Sequence, residues 1–258
     1  MFTAREVLLY FALKFEGDYD AILNAIKNKV VIDESDYQFL ITSFKGQYMT
    51  IVDMDYPDEF KKIYRPPLVI FYKGDQGLLN NLAKAIVVIG TRNPSQYGLK
   101  MATILSTELA KEKFIIVSGM AKGIDAVAHE CALRQKGKTI AVLGSGIDNP
   151  YPRENKDLYQ RLVAEGLVIS EYPGLTRPNK NNFPERNRLV ASLGRAVLVI
   201  EARTRSGTLI TVGASLASGG DIYCVPSLAD SDSGTNRLIK DGAYLVETIE
   251  DIKNLWRN

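Results

Sequence analysis

The feature that most restricts the fold is a regular alternation of short apolar runs with longer amphipathic stretches, which begins at Ala85. Seven runs are predicted strands, each followed by a helix-like pattern: AIVVIG, FIIVSG, TIAVLGSG, LVISEY, AVLVIEA, DIYCVP and AYLV. Strands alternating with helices of roughly 10–15 residues are typical of βαβ units and of a parallel sheet. Because crossover connections are right-handed, the helices should cover both faces. The sequence therefore predicts an α/β fold with a doubly wound, mostly parallel sheet.

The first part of the chain predicts a different organisation. Residues 1–45 carry apolar positions at helical spacing and no glycine loop, so we expect a small helical N-terminal region there. Two strand-like runs, QYMTIVD and PLVIFYK, follow within residues 47–73, and Pro66-Pro67 predicts a stiff turn between them. Residues 75–84 are predicted to form a short helix that leads into the main sheet. We therefore expect two parts, a helical region at 1–45 and an extended sheet domain at 46–258.

Composition argues against membrane and secreted classes. The chain has 258 residues, of which 46% are hydrophobic and 24% charged, and no apolar run approaches the roughly 20 residues of a membrane span. Its start has neither the basic segment nor the small-residue cleavage site of a signal peptide. The two cysteines, Cys131 and Cys224, form no CxxC pair. We expect a cytoplasmic protein with reduced, buried cysteines and no membrane partner.

Charge is unevenly distributed along the chain. The formal net charge is only +2, but residues 151–210 hold ten Lys or Arg and six Asp or Glu, which gives this segment +4 and the remainder −2. A local basic face on a nearly neutral protein suits a partner that carries phosphates.

Glycine-containing loops with cations follow the predicted strands. In the first loop, Gly90 lets the backbone turn close to a ligand, Arg92 supplies a fork of donors, and Ser95 is placed to cap the next helix. Later strands are followed by similar sets: Gly119, Lys122 and Gly123; Arg153 and Lys156; Arg203, Arg205, Ser206 and Gly207. In an open parallel sheet these loops meet at one edge, where ligands bind. The sequence therefore predicts a row of positively charged loops suited to phosphate oxygens.

Common nucleotide-binding and catalytic patterns do not match. The first loop, GTRNPSQYG, is not GxGxxG, and there is no Walker lysine loop, so neither a standard NAD site nor ATP hydrolysis is supported. The single histidine, His129, lies within an amphipathic helix pattern without a patterned partner, and we predict that it is structural. The histidine and the cysteines do not form a metal-binding set. We expect no metal, no cofactor and no catalytic residue.

Seven blocks of the sequence resemble, in order and spacing, the DprA/Smf family of DNA-processing proteins: GTRNPSQYG, SGMAKGIDAVAH, AVLGSGIDNPYPREN, SEYPG, NFPERNRLVA, EARTRSGTLIT and GTNRLIKDGA. The resemblance covers about residues 57–243. It implies a Rossmann-like domain that binds single-stranded DNA, protects it during natural transformation and transfers it to the RecA recombinase. It also implies a homodimer without established catalytic activity. The N-terminal segment shows no clear match to the helical domain of many members, and we expect no C-terminal winged-helix-like domain before Asn258.

The resemblance also implies which residues contact DNA. The residues that it gives are Arg92, Lys122, Arg153, Phe183, Arg186, Asn187, Arg188, Arg205, Ser206 and Gly207. Neighbouring residues of the strand-end loops complete the predicted set: Gly90, Thr91, Ser95, Gly119, Gly123, Asn155 and Lys156. Four cations, Arg92, Lys122, Arg153 and Arg186, are expected to hold successive phosphates of one strand. The aromatic residues Phe183, Tyr151 and Tyr97 either stack bases or belong to the core. We expect Arg92→Ala and Arg186→Ala to weaken binding to oligo(dT) with little change in melting temperature.

Two other functions compete with DNA binding. The glycine loops and a Rossmann-like sheet also suit nucleoside-monophosphate glycosidases of the lysine-decarboxylase-like family, which carry a PGGxGTxxE loop with a catalytic glutamate. The corresponding RSGTLIT loop lacks that glutamate, and Glu201 precedes the loop. The remaining alternative is a structural dimer whose basic face has no ligand.

Overall fold

The computed structural model of the chain describes residues 2–229 and 231–256. Its strands are β1 (Gln47–Thr50), β2 (Val69–Gly74), β3 (Ala85–Ile89), β4 (Ile115–Ser118), β5 (Thr139–Leu143), β6 (Leu167–Ser170), β7 (Ala196–Val199), β8 (Asp221–Cys224) and β9 (Tyr244–Leu245). They form one sheet in the order β1-β2-β6-β5-β4-β3-β7-β8-β9. Pairs from β6 to β9 are parallel, whereas β1 with β2 and β2 with β6 are antiparallel. The predicted α/β class with a mostly parallel sheet is confirmed.

Helices connect the strands and cover both faces of the sheet. They are α1 (Ala4–Lys14), α2 (Tyr19–Lys27), α3 (Glu34–Ser43), α4 (Asp58–Lys61), α5 (Gln96–Lys111), α6 (Ile124–Arg134), α7 (Lys156–Glu165), α8 (Asn182–Ser192), α9 (Thr208–Ala217), α10 (Gly234–Lys240) and α11 (Ile249–Trp256). The helix predicted for residues 75–84 is instead two 3-10 turns, Gln76–Asn80 and Leu82–Lys84, because Asn81 between them has φ −123°, outside the helical region. Across the described ranges, every helix is too short or too polar to traverse a lipid bilayer.

Successive side chains of each strand point to opposite faces of the sheet and pack into two apolar layers. In β3, Val87 faces a layer that includes residues of α8 and α9, whereas Ile86 and Val88 face a layer that includes residues of α5, α6 and α11. Every residue of β3 and β7 is buried, as expected for central strands of a sheet covered on both sides. Both cysteines are buried free thiols, and burial raises the pKa of Cys224 to about 12.

The N-terminal helices share a core with the sheet. Helix α1 begins with a capping box in which Thr3 and Glu6 satisfy each other's backbone amides. Its buried residues, Leu8 to Ala12, pack in one cluster with Phe71 of β2 and Leu143 of β5. The boundary predicted at residues 45 and 46 therefore falls within continuous packing.

The strand order reverses direction at β3. From β3 the chain passes through β4, β5 and β6 on one side, and then returns to place β7 on the other side of β3. In sheets of this kind the crevice outside the carboxyl ends of the strands at the reversal point is the usual ligand site.

Candidate nucleic-acid interface

A cavity of about 650 Å³ opens at the carboxyl ends of the central strands. Nine residues of the predicted DNA-binding set line it: Gly90, Thr91, Arg92, Gly119, Phe183, Arg186, Asn187, Ser206 and Gly207. A smaller cavity of about 50 Å³ adjoins it, shares Tyr151 with it and adds Lys122 and Pro152 to the lining. We call the two cavities together the groove. The structure therefore brings loops from five segments of the chain together at one edge of the sheet.

The loop between β3 and α5 presents Arg92 to solvent. Arg92 is exposed, and its guanidinium carbon lies 5.6 Å from the centre of the Phe183 ring, within the range of a cation–π contact. Close packing below fixes the start of this loop, since a Cβ atom at Gly90 would lie 2.6 Å from Cγ1 of Ile124. Arg92 makes no hydrogen bond with the residues that the structure describes. Its donors thus remain available to an anion in the groove.

An aromatic pair forms one wall of the groove. The rings of Tyr151 and Phe183 lie 5.5 Å apart at an interplanar angle of 46°, and Tyr151 is 44% exposed. Phe183 packs so closely on the backbone that a Cβ atom at Gly144 would lie 2.8 Å from its ring. The third aromatic candidate, Tyr97, lies elsewhere and donates its hydroxyl to the carbonyl of Pro226 (3.1 Å). Tyr151 and Phe183 are therefore the aromatic side chains of the predicted stacking group that reach the groove.

Arg186 forms part of the groove floor and is almost completely buried. It is 5% exposed, and its Nη1 donates to the carbonyl oxygens of Gly119 (2.5 Å) and Val142. Its Nε donates to Oδ1 of Asn187 (3.2 Å). Burial lowers the pKa of Arg186 to about 10, while nearby Asp125 opposes this change. The guanidinium thus donates its hydrogen bonds to other groups of the protein. Glycine is required at position 119 because a Cβ atom there would lie 2.6 Å from Nη1.

A buried polar cluster supports the loop between β4 and α6. Oδ2 of Asp125 accepts from the Ala121 amide (3.3 Å), and burial raises the pKa of this carboxyl, an effect that Arg186 opposes. Nδ1 of His129 lies 2.7 Å from the Thr139 hydroxyl, which itself donates to the Ile116 carbonyl. Nδ1 is therefore assigned as the protonated nitrogen. His129 is fully buried, and burial lowers its pKa to about 3, so the ring is neutral.

The turn at residues 153–155 is tied to the loop that carries Lys122. Nδ2 of Asn155 donates to the carbonyls of Met120 (2.9 Å) and Ala121 (3.3 Å). Nζ of Lys122 lies 2.5 Å from Oε1 of Glu154, and this hydrogen bond lowers the pKa of Glu154. Both side chains of this pair are more than half exposed, so an anion could replace Glu154 at small cost. Arg153, on this turn, and Lys156, the first residue of α7, are both exposed.

The loop after β7 completes the opposite side of the groove. Arg205 is exposed, and Gly207, the residue before α9, provides no side-chain cap for the first amides of the helix. Nδ2 of Asn187 donates to the Gly207 carbonyl (3.5 Å) and so links this loop to α8. The hydroxyl oxygen of Ser206 is buried and has no hydrogen-bond partner among the described residues. These groups form the part of the groove most suited to accept a phosphate oxygen.

Arg188 is not brought to the groove. Its Nη2 donates to both carboxylate oxygens of Glu171, at 2.7 and 2.8 Å, and the two side chains are only 11% and 8% exposed. Burial raises the pKa of Glu171, and the charge of Arg188 opposes this change. Phe183 and Asn187 are one helical turn apart on α8 and line the groove, whereas position 188 is rotated to another face. This corrects the expectation that Arg188 lies beside the other predicted DNA contacts.

Ser95 caps α5 and contacts a residue outside the predicted set. Its hydroxyl accepts from the Gly98 amide (3.0 Å), which confirms the predicted cap. The Ser95 amide and hydroxyl both donate to Oε2 of Glu201, at 3.0 and 2.9 Å. One feature of the sequence indicates this contact, because Glu201 follows a strand predicted to end at the same edge as the first loop.

Lys180 also lines the groove without having been predicted there. It is exposed, in an irregular loop between β6 and α8. A loop of asparagine, lysine and proline has no periodicity, so only its position next to the NFPERNR block could have indicated a role. Within residues 2–229 and 231–256, no three His, Cys, Asp or Glu side chains are grouped so as to hold a metal ion.

A family model and several curated proteins match this chain over most of its length. The model of the DNA recombination-mediator protein A family matches residues 47–257. DNA processing protein DprA of Bacillus subtilis is 36% identical over 233 residues, which are 88% of this chain and 78% of that protein. For several other curated relatives, the chain spans about half of the relative's own length.

Two solved structures resemble the whole fold. DprA of Streptococcus pneumoniae superposes with a TM-score of 0.76 at 33% identity, covering 98% of this chain and 93% of that one. This coverage includes the N-terminal helices, for which the sequence had shown no clear match. DNA processing protein A of Helicobacter pylori, whose structure concerns that protein's single-stranded DNA binding mode, gives a TM-score of 0.72 at 31% identity over 82% of this chain and 96% of that one. The chain therefore belongs to the DNA recombination-mediator protein A family, the family of the DprA and Smf proteins.

Proposed function

We propose that this protein binds single-stranded DNA in the groove, as part of DNA processing during natural transformation. The observation that carries the proposal is the position of Arg92, an exposed cation above the Phe183 ring at the reversal point of the sheet. One protein of the same family, that of H. pylori, is described as binding single-stranded DNA. The proposal therefore rests on two supports. The groove offers a cation for a phosphate and an aromatic ring for a base, and a relative with a matching fold is described as binding single-stranded DNA.

Exposed cations around the groove supply the sequence-independent part of binding. Arg92, Lys122 and Lys180 line it. Arg153 and Arg205 are exposed next to the lining residues Pro152 and Ser206, and Lys156 is exposed at the start of α7. Each phosphate of a single strand that a cation neutralises contributes about −0.7 to the slope of log affinity against log salt concentration. Arg186 contributes differently, because its donors hold the groove floor in place.

The aromatic wall favours unpaired over paired DNA. Tyr151 is partly exposed beside Phe183, and a base that stacks on such a ring gains roughly 1–3 kcal/mol. In a duplex the faces of the bases are already stacked, so they cannot reach this wall without unpairing. The groove should therefore prefer single strands and show little preference for sequence.

The wider role is proposed from the family. We propose that the protein acts in the cytoplasm as a homodimer, protects incoming strands and loads them onto the RecA recombinase, as the DprA/Smf resemblance implies. In this role the protein is a binding protein rather than an enzyme. A nucleotide incubation that released free base would support the glycosidase alternative instead.

The decisive experiment measures binding of oligo(dT) and of a duplex of equal length over a series of salt concentrations. We expect tighter binding of the single strand, a negative salt slope, and a slope reduced by about 0.7 in Arg92→Ala. Arg134→Ala removes an exposed arginine that pairs with Glu130 at the end of α6, away from the groove, and serves as a control. Equal affinity for the duplex, or an Arg92→Ala variant that binds like wild type, would reject the proposal.

A further inference from the structure

We infer that Glu201 is the residue that positions Arg92 for DNA, by holding both ends of the loop that carries it. The inference rests on the proposed function, in which Arg92 binds a phosphate of the DNA strand. Glu201 lies two residues after the end of β7 and across the reversal point from the loop after β3.

Glu201 contacts the loop at two separate places. Its backbone carbonyl accepts from the Thr91 amide (2.8 Å), and its carboxylate accepts from the amide and hydroxyl of Ser95 (3.0 and 2.9 Å). Arg92 lies between these two attachments. Because charge-assisted hydrogen bonds to a carboxylate are the stronger kind, the side chain of Glu201 fixes the end of the loop that is farther along the chain.

The carboxylate also fills a place where an anion would otherwise bind. Oε2 lies so close to the start of α5 that a Cβ atom at Gly98 would be 1.8 Å from it. The first amides of a helix attract anions, and here the protein supplies its own, with Ser95 as the cap. A phosphate of the strand is thereby excluded from the α5 terminus and meets the guanidinium of Arg92 instead. Glu201 therefore both steadies Arg92 and removes the competing phosphate site beside it.

A double-mutant cycle tests the link between the two residues. If Glu201 acts through Arg92, Glu201→Ala should weaken oligo(dT) binding about tenfold in the wild-type background and less than about twofold in an Arg92→Ala background. Glu201→Gln keeps an oxygen that can accept from the Ser95 amide, so its affinity should lie between those of wild type and Glu201→Ala. Glu108→Ala is the matched control, because it removes the same side chain near the other end of α5, where the partner is Lys111.

Amide hydrogen exchange supplies a readout that does not involve DNA. Glu201→Ala removes the acceptor of the Ser95 amide, so this amide should exchange faster, whereas Glu201→Gln should preserve most of the protection. Faster exchange together with non-additive affinity losses supports the inference. An equal loss of affinity in both backgrounds, or unchanged exchange at Ser95, overturns the inference. The proposed function is tested separately, because it is upheld if Arg92→Ala alone weakens DNA binding. If Arg92→Ala itself has no effect, the proposed function fails, and this inference fails with it.

Discussion

At the scale of single residues, Arg92 and Arg186 lie at the same groove but differ in solvent exposure. Arg92 is exposed and contacts the Phe183 ring, whereas Arg186 is 5% exposed and donates to two backbone carbonyls. Replacing an exposed cation that makes no internal hydrogen bond changes folding stability little. Replacing a buried, hydrogen-bonded cation lowers folding stability strongly. Arg92→Ala should therefore weaken DNA binding at an almost unchanged melting temperature, measured by thermal unfolding alongside the binding assay.

Arg186→Ala should lower the free energy of unfolding by about 3–5 kcal/mol. The change removes the donors of the Gly119 and Val142 carbonyls and leaves the buried Asp125 carboxyl without the neighbouring positive charge. The expectation of an unchanged melting temperature therefore does not apply to this variant. Chemical denaturation measures the loss, with Arg134→Ala as the exposed control; equal stability of the two variants would contradict the buried role.

His129 should make the protein less stable in acid. The unfolded chain takes up a proton at the ordinary histidine pKa near 6.5, whereas burial holds the pKa of folded His129 at about 3. Between these values only the unfolded state is protonated, so stability falls as pH falls from about 6.5 towards 3. His129→Gln should reduce the dependence of unfolding free energy on pH by about 1.4 kcal/mol per unit near pH 5. An identical dependence in the variant would show that the ring is accessible to protons.

At the scale of elements, the loop between β4 and α6 depends on a glycine that touches its neighbour. Gly123 has φ +79°, and a Cβ atom there would lie 2.5 Å from the Thr91 carbonyl oxygen. Gly219 has nearly the same φ, +77°, but an added Cβ would meet nothing within 4 Å. The two positions share a positive φ, which strains a residue with a Cβ atom, and they differ in contact, which makes them a matched pair.

Gly123→Ala should therefore weaken DNA binding, whereas Gly219→Ala should not. Both variants should lose about 1–3 kcal/mol of stability from the strained backbone. Only Gly123→Ala also displaces the Thr91–Arg92 backbone, and with it the cation proposed to bind phosphate. Filter binding with oligo(dT) and denaturation of both variants measure the two effects separately. Equal affinities would show that the contact between the two loops does not position Arg92.

The same element shows how far sequence patterns can predict the site. Glycine loops at strand ends placed Arg92, Lys122 and Ser206 at one edge correctly, because parallel strands carry their loops to a common edge. The pattern did not distinguish Arg186 from Arg188 on α8. Their different surroundings depend on helical phase and on partners far along the chain, the Val142 carbonyl and the Glu171 carboxylate. Burial of a charge is decided by tertiary contacts, which a local motif does not contain.

At the scale of the whole molecule, the sheet was largely predictable and its order was not. The structure contains all seven strands predicted from Ala85 onward. Strands β3 to β7 are short, mostly apolar runs because they are buried on both faces, whereas β9 is a two-residue edge strand whose residues are both exposed. The attachment of β2 to β6, antiparallel and almost 100 residues apart in sequence, has no local signal. Likewise, helical periodicity predicted the N-terminal helices but not that their apolar side chains join the core of the sheet.

This shared core leads to a prediction about cooperativity. Phe11 of α1 is 2% exposed and packs in the same cluster as Phe71 and Leu143 of the sheet. The single tryptophan, Trp256, lies at the other end of the chain, where its ring is 4.9 Å from that of Phe114. If residues 1–45 and the sheet unfold as one unit, a cavity in α1 must lower the transition that Trp256 reports.

Phe11→Ala should shift the Trp256 fluorescence transition to lower denaturant concentration, by a loss of about 3–5 kcal/mol. Val31→Ala, at an N-terminal position that is 89% exposed, should leave the transition in place. An unchanged Trp256 transition in Phe11→Ala, with a separate early loss of helical circular dichroism, would instead establish residues 1–45 as an independent unit. The structure argues for the first outcome, because removing α1 from the sheet would expose Val69 and Phe71, which are now 3% and 0% exposed.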